Sequence, residues 1–182
     1  MASDESARVE RSVVVATVRD IPRVVPFVNS AYRGDSSRLG WTTEADLLDG
    51  QRIDEQGLHD LIGAPASVVL VMRSTGALFG CCHVSKVSSD SAYVGMVSIE
   101  PSMQNLGLGR QLLIAAETYA RIEMGVSQLR MTVISVRTEL LSWYQRRGYH
   151  ITSERVPFPS ADPRFGIPKR SDLEFVVLEK RL

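Results

Sequence analysis

The sequence predicts a mixed α+β domain, a mostly antiparallel sheet of about seven strands with helices on both faces. Three observations carry that expectation. Three β-branched, apolar runs follow one another between Ser67 and Ile99, separated only by turn residues. From Gly107 to Met124 the apolar residues recur at helical spacing instead. Strand-like and helix-like segments then alternate to the C-terminus. With 182 residues the chain is the size of one core, so residues 12–182 are expected to form one domain behind a disordered tail over Met1–Arg11.

Ser12–Arg19 (SVVVATVR) is short, apolar and β-branched, and reads as the first strand. Asp20 is placed to cap a helix with Pro22 in its first turn. Val24, Val25, Phe27, Val28 and Ala31 form its apolar stripe, and Gly34 ends it. Gly34–Trp41 reads as a loop, Thr43–Leu48 as a short helix capped by Thr43, and Glu55–Ile62 as another. Ser67–Arg73, Leu78–Val87 and Ala92–Ile99 are strands of an antiparallel meander, with Ser74-Thr75-Gly76 and Ser88–Ser91 as turns. The helix from Gly107 buries Leu112, Leu113, Ala116, Tyr119 and Ala120 and stops at Gly125. A strand at Gln128–Ile134, a helix at Thr138–Arg147 and a strand at Tyr149–Val156 follow. A loop rich in proline and charge (Pro157–Ser171) leads to the last strand, Leu173–Leu178.

Hydrophobic residues make up 44% and charged residues 23%, an ordinary globular balance. The formal net charge of zero argues against a nucleic-acid binder. No apolar run approaches the roughly 18 residues needed to cross a bilayer, and the polar start carries no secretory signal. The two cysteines, Cys81 and Cys82, are neighbours, too close for an ordinary bridge and without metal-ligand spacing to a histidine. A reduced, cytoplasmic protein without a metal site is expected, both thiols being strand residues on opposite faces. Charge is unevenly spread. Gly34–Asp60 holds seven acids against Arg38 and Arg52, a net of −5, while Pro101–Leu182 has a net of +4. If both regions face one cleft, one wall suits a cation and the other an anion; two solvated faces account for the same counts.

The densest motif runs from Val97 to Arg110 (VSIEPSMQNLGLGR), a strand entering a glycine-bearing loop that opens an amphipathic helix. Helix starts present unpaired N–H groups and a partial positive charge, which suit phosphates. Gly107 and Gly109 let a pyrophosphate approach the backbone. Gly109 is followed by Arg110-Gln111, not the Lys-Ser/Thr of a Walker loop, and the three glycines of a dinucleotide fingerprint are absent.

Here the chain resembles the GNAT family of N-acetyltransferases. Gln104-x-x-Gly107-x-Gly109 is similar to the family's Q/R-x-x-G-x-G/A loop, and Trp143-Tyr144-x-x-x-Gly148-Tyr149 to its aromatic-Tyr-x-x-x-Gly-aromatic helix. The element order agrees from Ser12 to Leu178. The resemblance implies that the fourth and fifth strands splay apart and that acetyl-coenzyme A fills the gap. Val97 and Ile99 would then offer backbone groups to its pantetheine and acetyl carbonyl. The N–H groups of Gln104, Asn105, Leu106, Gly107, Leu108, Gly109 and Arg110 would hold the pyrophosphate. Tyr144 falls on the tyrosine that often protonates the leaving thiolate. Many relatives carry asparagine where this chain has Arg137, which is placed to meet a phosphate instead.

The implied reaction is attack of a neutral amine on a thioester, which needs positioning, a base and an acid. Tyr144 is the candidate acid, and a packed helix aromatic is its structural alternative. Candidates for the base are Glu44, Glu100 and Tyr93, the last standing near where some relatives place a glutamate. Trp41 and Glu44 together suit a cationic amine; Glu44 is equally well read as a first-turn helix acid. The lone histidines His59 and His83 are weaker candidates. The expected acceptor is a primary amine of a small molecule, amino acid or peptide, with no nucleic acid or membrane involved. A homodimer, common among relatives, is a further implied partner. Two alternatives stand beside acetyl transfer: use of a longer acyl-coenzyme A, and a non-catalytic acyl-coenzyme A sensor.

Overall fold

The computed structural model describes residues 11–182, so the expected tail lies, Arg11 apart, outside the described residues. β1 (Ser12–Val15) leads through a short 3-10 turn into α1 (Ile21–Tyr32), followed by α2 (Gly34–Ser37), β2 (Leu48–Asp49) and α3 (Glu55–Gly63). The meander comes next as β3 (Ser67–Ser74), β4 (Ala77–Lys86) and β5 (Ser91–Ile99). Then come α4 (Leu108–Ile122), β6 (Gln128–Ile134), α5 (Thr138–Gln145), β7 (His150–Pro157), β8 (Ile167–Pro168) and β9 (Glu174–Arg181). Seven strands form one sheet in the order β1-β3-β4-β5-β6-β9-β7, with only the β5/β6 pair parallel. β2 and β8 pair separately.

The meander forms where turn chemistry asks for it. Ser74 pairs with Ala77 across Thr75 and Gly76, both at positive φ (42° and 84°), the conformation a two-residue hairpin needs. Strand alternation then sorts the core. Val69, Val71 and Cys81 pack with Val24, Val28 and Leu58 of α1 and α3 on one face. Leu70, Met72 and Cys82 pack with Leu112, Leu113 and Ala116 of α4 on the other. The neighbouring thiols do point to opposite faces, and burial pushes the Cys81 thiol up to about 12 and raises that of Cys82 as well.

Four expectations need correction, the smallest being that the loop read at Gly34–Trp41 opens with the one-turn helix α2, Gly34–Ser37. The first strand stops at Val15, because Asp20 reaches back to accept the Thr17 backbone N–H at 2.8 Å and curls the chain into the 3-10 turn. Thr43–Leu48 is not a helix. The N–H groups of Leu47 and Leu48 both donate to the Glu44 carbonyl, closing a single turn. Leu48 then enters β2 and buries against Ile134, Phe158 and Leu173. The loop expected at Pro157–Ser171 contributes the partner strand β8. Tertiary contacts available only after folding outweigh the weak local helix signal.

Candidate active site

The sheet opens in the middle. β5 and β6 pair only from Ser91 to Tyr93 against Gln128 to Arg130, and the strands diverge beyond. A bulge sits in the same stretch of β5. Cys81 pairs with Ser98 and His83 with Gly95, so Met96 and Val97 together face the single residue Cys82. Met96 takes φ 53°, rare for a side chain of its size. The bulge leaves the Val97 carbonyl outside the ladder, where it accepts a hydrogen bond from the Tyr32 hydroxyl at 3.0 Å. Two cavities, of 280 and 380 Å³, share a lining of Tyr32, Val97, Arg137, Leu140 and Tyr144.

The smaller cavity runs toward the start of α4. Asn105 and Gly107 take φ 67° and 79°, turning the loop so that the helix opens on Leu108. Its first N–H groups have no intrahelical acceptor. A Cβ on Gly109 would sit 3.3 Å from the Trp143 ring, so this glycine keeps the floor low. Arg147 lies over the same indole at 3.5 Å and has a buried Nε without an acceptor. Burial, then the neighbouring Arg146 and Arg110, lowers its pKa from the ordinary guanidinium value. Three mutually repelling guanidinium groups beside free helix N–H groups fit a polyanion. Gln104 ties the loop down, its Oε1 accepting the Trp41 N–H at 3.0 Å.

The larger cavity lies between β5 and β6 and reaches under β2 and β8. Glu44 sits at its edge, 6% exposed, with Oε2 2.5 Å from Arg33 Nη1 and Oε1 2.6 Å from Arg137 Nη1. Burial alone would raise its pKa, but Arg137 and Arg33 more than offset that and hold the carboxyl below its ordinary range. Glu44 is therefore a poor proton acceptor, and neither oxygen is open to an incoming amine. That replaces the expected base and cationic-amine wall. Two other acids of the segment are paired as well, Asp46 with Arg38 at 2.7 Å and Asp49 with Lys169 at 2.8 Å.

The remaining candidates divide. Val97, Ile99, Gln104, Asn105, Gly107, Gly109, Arg110 and Tyr144 do line the smaller cavity, as does Trp41, which was expected on the acceptor side. The Leu106 side chain points to solvent and Leu108 into the core, so only their backbone faces the loop. Arg137 also lines the smaller cavity, and the larger one as well; it donates to Glu44 of the larger cavity and, at 2.8 Å, to the Thr42 hydroxyl of the smaller one, so part of its guanidinium is already committed within the protein. Glu100 lines neither cavity and its one side-chain contact is Ser102 at 3.4 Å, so it is displaced from the base position. Tyr93 lines the larger cavity, its hydroxyl 2.9 Å from the Thr132 hydroxyl where the gap begins. His83 is committed to Ser67 at 2.9 Å, and its pKa is lowered to about 4, first by burial. Tyr32, Arg33, Arg52, Trp143 and Arg147 were missed. Trp143 and Arg147 stand inside the recognised C-terminal motif, a signal that was available; Tyr32 and Arg52 carry none.

The chain matches the family profile described as "Acetyltransferase (GNAT) family" over residues 28–149. It belongs to that family. The GNAT fold is also that of solved structures of low identity. An IAA acetyltransferase from Bacillus cereus ATCC 14579 is 15% identical, TM-score 0.66, covering 95% of this chain and 100% of that one. A GNAT family acetyltransferase from Elizabethkingia anophelis with acetyl-CoA bound is 15% identical, TM-score 0.64, covering 94% and 98%. The ribosomal-protein-S18-alanine N-acetyltransferase from Escherichia coli is 13% identical, TM-score 0.66, covering 94% of each chain. A search of curated proteins finds no match. Among the described residues no helix is long and apolar enough to cross a membrane, and no three His, Cys, Asp or Glu side chains are grouped to hold a metal ion.

Proposed function

We propose that this GNAT protein acetylates a primary amine of a small molecule, amino acid or peptide by direct transfer from acetyl-coenzyme A. The observation that supports this most is the meeting of the two cavities at Val97 and Tyr144, through the gap between β5 and β6. Residues of the smaller cavity suit the co-substrate: the α4 start and Arg110 and Arg147 for its phosphates, the bulged Val97 for its acyl end. When bound, acetyl-coenzyme A supplies an acetyl group already activated as a thioester. The larger cavity brings the acceptor to the same point from the opposite side, which supplies the positioning direct transfer needs.

Tyr144 provides the acid. It is 6% exposed and lines both cavities. Burial, reinforced by Tyr32, raises its phenol pKa above the ordinary 10.0, so it holds its proton at neutral pH and can give it to a departing thiolate. Among the described residues the only carboxylate lining the acceptor cavity is Glu44, which is already paired. Arg33, Arg52 and Arg137 outnumber it there, and like charge disfavours an ammonium, so the acceptor enters its neutral form without a dedicated carboxylate base.

Tyr144→Phe tests the reading. Turnover, followed as thiol release over a panel of amines, should fall about 100-fold while coenzyme A affinity holds. Near-normal turnover would reduce Tyr144 to a packing residue. Coenzyme A binding by the unaltered protein with no thiol release toward any amine would point to a sensor instead.

A further inference from the structure

The acceptor cavity differs in sign from the segment that builds it. Gly34–Asp60 has an excess of acids, yet the charged side chains it turns toward the cavity are Glu44 and Arg52. Glu44 is claimed by both Arg33 and Arg137, each of which also keeps a buried Nε without an acceptor. Arg52 has no acidic partner among the described residues. Its guanidinium rests over the Tyr32 ring, 5.4 Å from the centroid, and its backbone N–H is anchored by the Asn29 Oδ1 at 2.6 Å. Three guanidinium groups against one carboxylate leave the lining two positive charges in excess.

Position adds direction to that charge. The ring beneath Arg52 is the one whose hydroxyl bonds the Val97 carbonyl, so a free cation stands one tyrosine away from the point where the cavities meet. Apart from the Tyr93 and Thr132 hydroxyls, which bond each other, the rest of the wall is largely apolar, with Leu48, Met131, Phe158 and Phe175 facing inward and the Phe158 and Phe175 rings 5.4 Å apart. A polyamine would bring positive charge into a positive pocket. An amine that also carries a carboxylate would answer the unpaired guanidinium and keep its nitrogen near Val97.

Resting on the acetyl-transfer reading above, we propose that the acceptor is a free α-amino acid with an apolar or aromatic side chain, its carboxylate bound by Arg52. The carboxylate pairs with the guanidinium, the side chain lies against the phenylalanines, and the amine faces the smaller cavity. On transfer the amine nitrogen forms the new bond to the acetyl carbon, the carbon–sulfur bond breaks, and the displaced thiolate takes a proton from Tyr144. The neutral amine gives up one proton to solvent as the amide forms, and solvent returns one proton to Tyr144.

The test compares phenylalanine, phenylalaninamide, phenethylamine and spermidine as acceptors in thiol release by the full chain. Phenylalanine should exceed phenethylamine in kcat/KM by about 10- to 100-fold, the worth of a charged hydrogen-bonded pair, with spermidine poorest. Arg52→Gln should collapse that ratio by a similar factor and leave coenzyme A affinity unchanged, and Arg52→Lys should retain part of it. A preference for phenethylamine or spermidine, or an undiminished ratio in Arg52→Gln, overturns the proposal. If no acceptor releases thiol although coenzyme A binds, the acetyl-transfer reading fails separately. Calorimetry on the coenzyme A-loaded protein then decides the inference: tighter binding of phenylalanine than phenethylamine, lost in Arg52→Gln, supports it. Equal binding, or none, overturns it.

Discussion

Glu44→Gln is expected to cost about 3–5 kcal/mol of folding stability, the usual result of removing one partner from a buried ion pair. Arg33 is 7% exposed, and the Arg137 side chain 11%, so neither guanidinium can recover its loss from water. Each also has a buried Nε already without an acceptor. An amide retains the shape of the carboxylate but loses its charge, and it turns an N–H group toward one of the two arginines. The same pair sets an acid dependence. Because the folded carboxyl titrates below its ordinary value of 4.5, its contribution is complete above that pH and is lost as pH falls through the folded value. Urea unfolding at pH 7 and at pH 4 measures both effects. The variant should be less stable at pH 7, and the gap should begin to narrow at pH 4, below the ordinary value of 4.5, where the unfolded carboxyl takes up a proton before the folded one does. A variant within about 1 kcal/mol of the unaltered protein at pH 7 would mean that Glu44 is an ordinary surface acid.

Gly109→Trp should abolish coenzyme A binding, a loss of more than about 100-fold, in a protein that remains folded. Gly109 does not need a left-handed backbone, so the helix itself tolerates a side chain there. What it does not tolerate is bulk. The first added carbon already meets the Trp143 ring at 3.3 Å, and an indole must then either displace Trp143 and the Arg147 stacked on it or fill the smaller cavity. Either outcome removes the place where a pyrophosphate would meet the α4 N–H groups. Calorimetric titration with coenzyme A, alongside circular dichroism to confirm the fold, gives the answer. Unchanged affinity in a folded variant would move the nucleotide away from this loop.

The elements most legible in the sequence owe their structure to local chemistry. Gly76 favours a tight hairpin because it takes positive φ freely, and pairing of the apolar strands on either side carries Thr75 into the same region. The stripe of Leu112, Leu113, Ala116 and Ala120 specifies α4, and the glycines before it specify a helix start open to an anion. Those glycines with Gln104, and the Trp143-Tyr144 motif, carried the family resemblance and line much of the smaller cavity, which was therefore largely readable in advance. The larger cavity was not. Its walls come from β5, β6, the turn before β2 and the segment around Phe158, which are far apart in the chain and meet only when β9 inserts between β6 and β7. The clearest case is charge. Counting residues from Gly34 to Asp60 describes an acidic surface, but a count holds no information about pairing or direction. Folding neutralises Glu44 between Arg33 and Arg137 and leaves Arg52 facing inward. Sequence by itself determined the fold class, which follows from short-range periodicity and turn chemistry, and two short motifs resembling the family's pointed to the family and to the glycine-bearing loop before α4. Only the tertiary structure decided the sign of the larger cavity, because that depends on which charges cancel across the long-range contacts of the closed core.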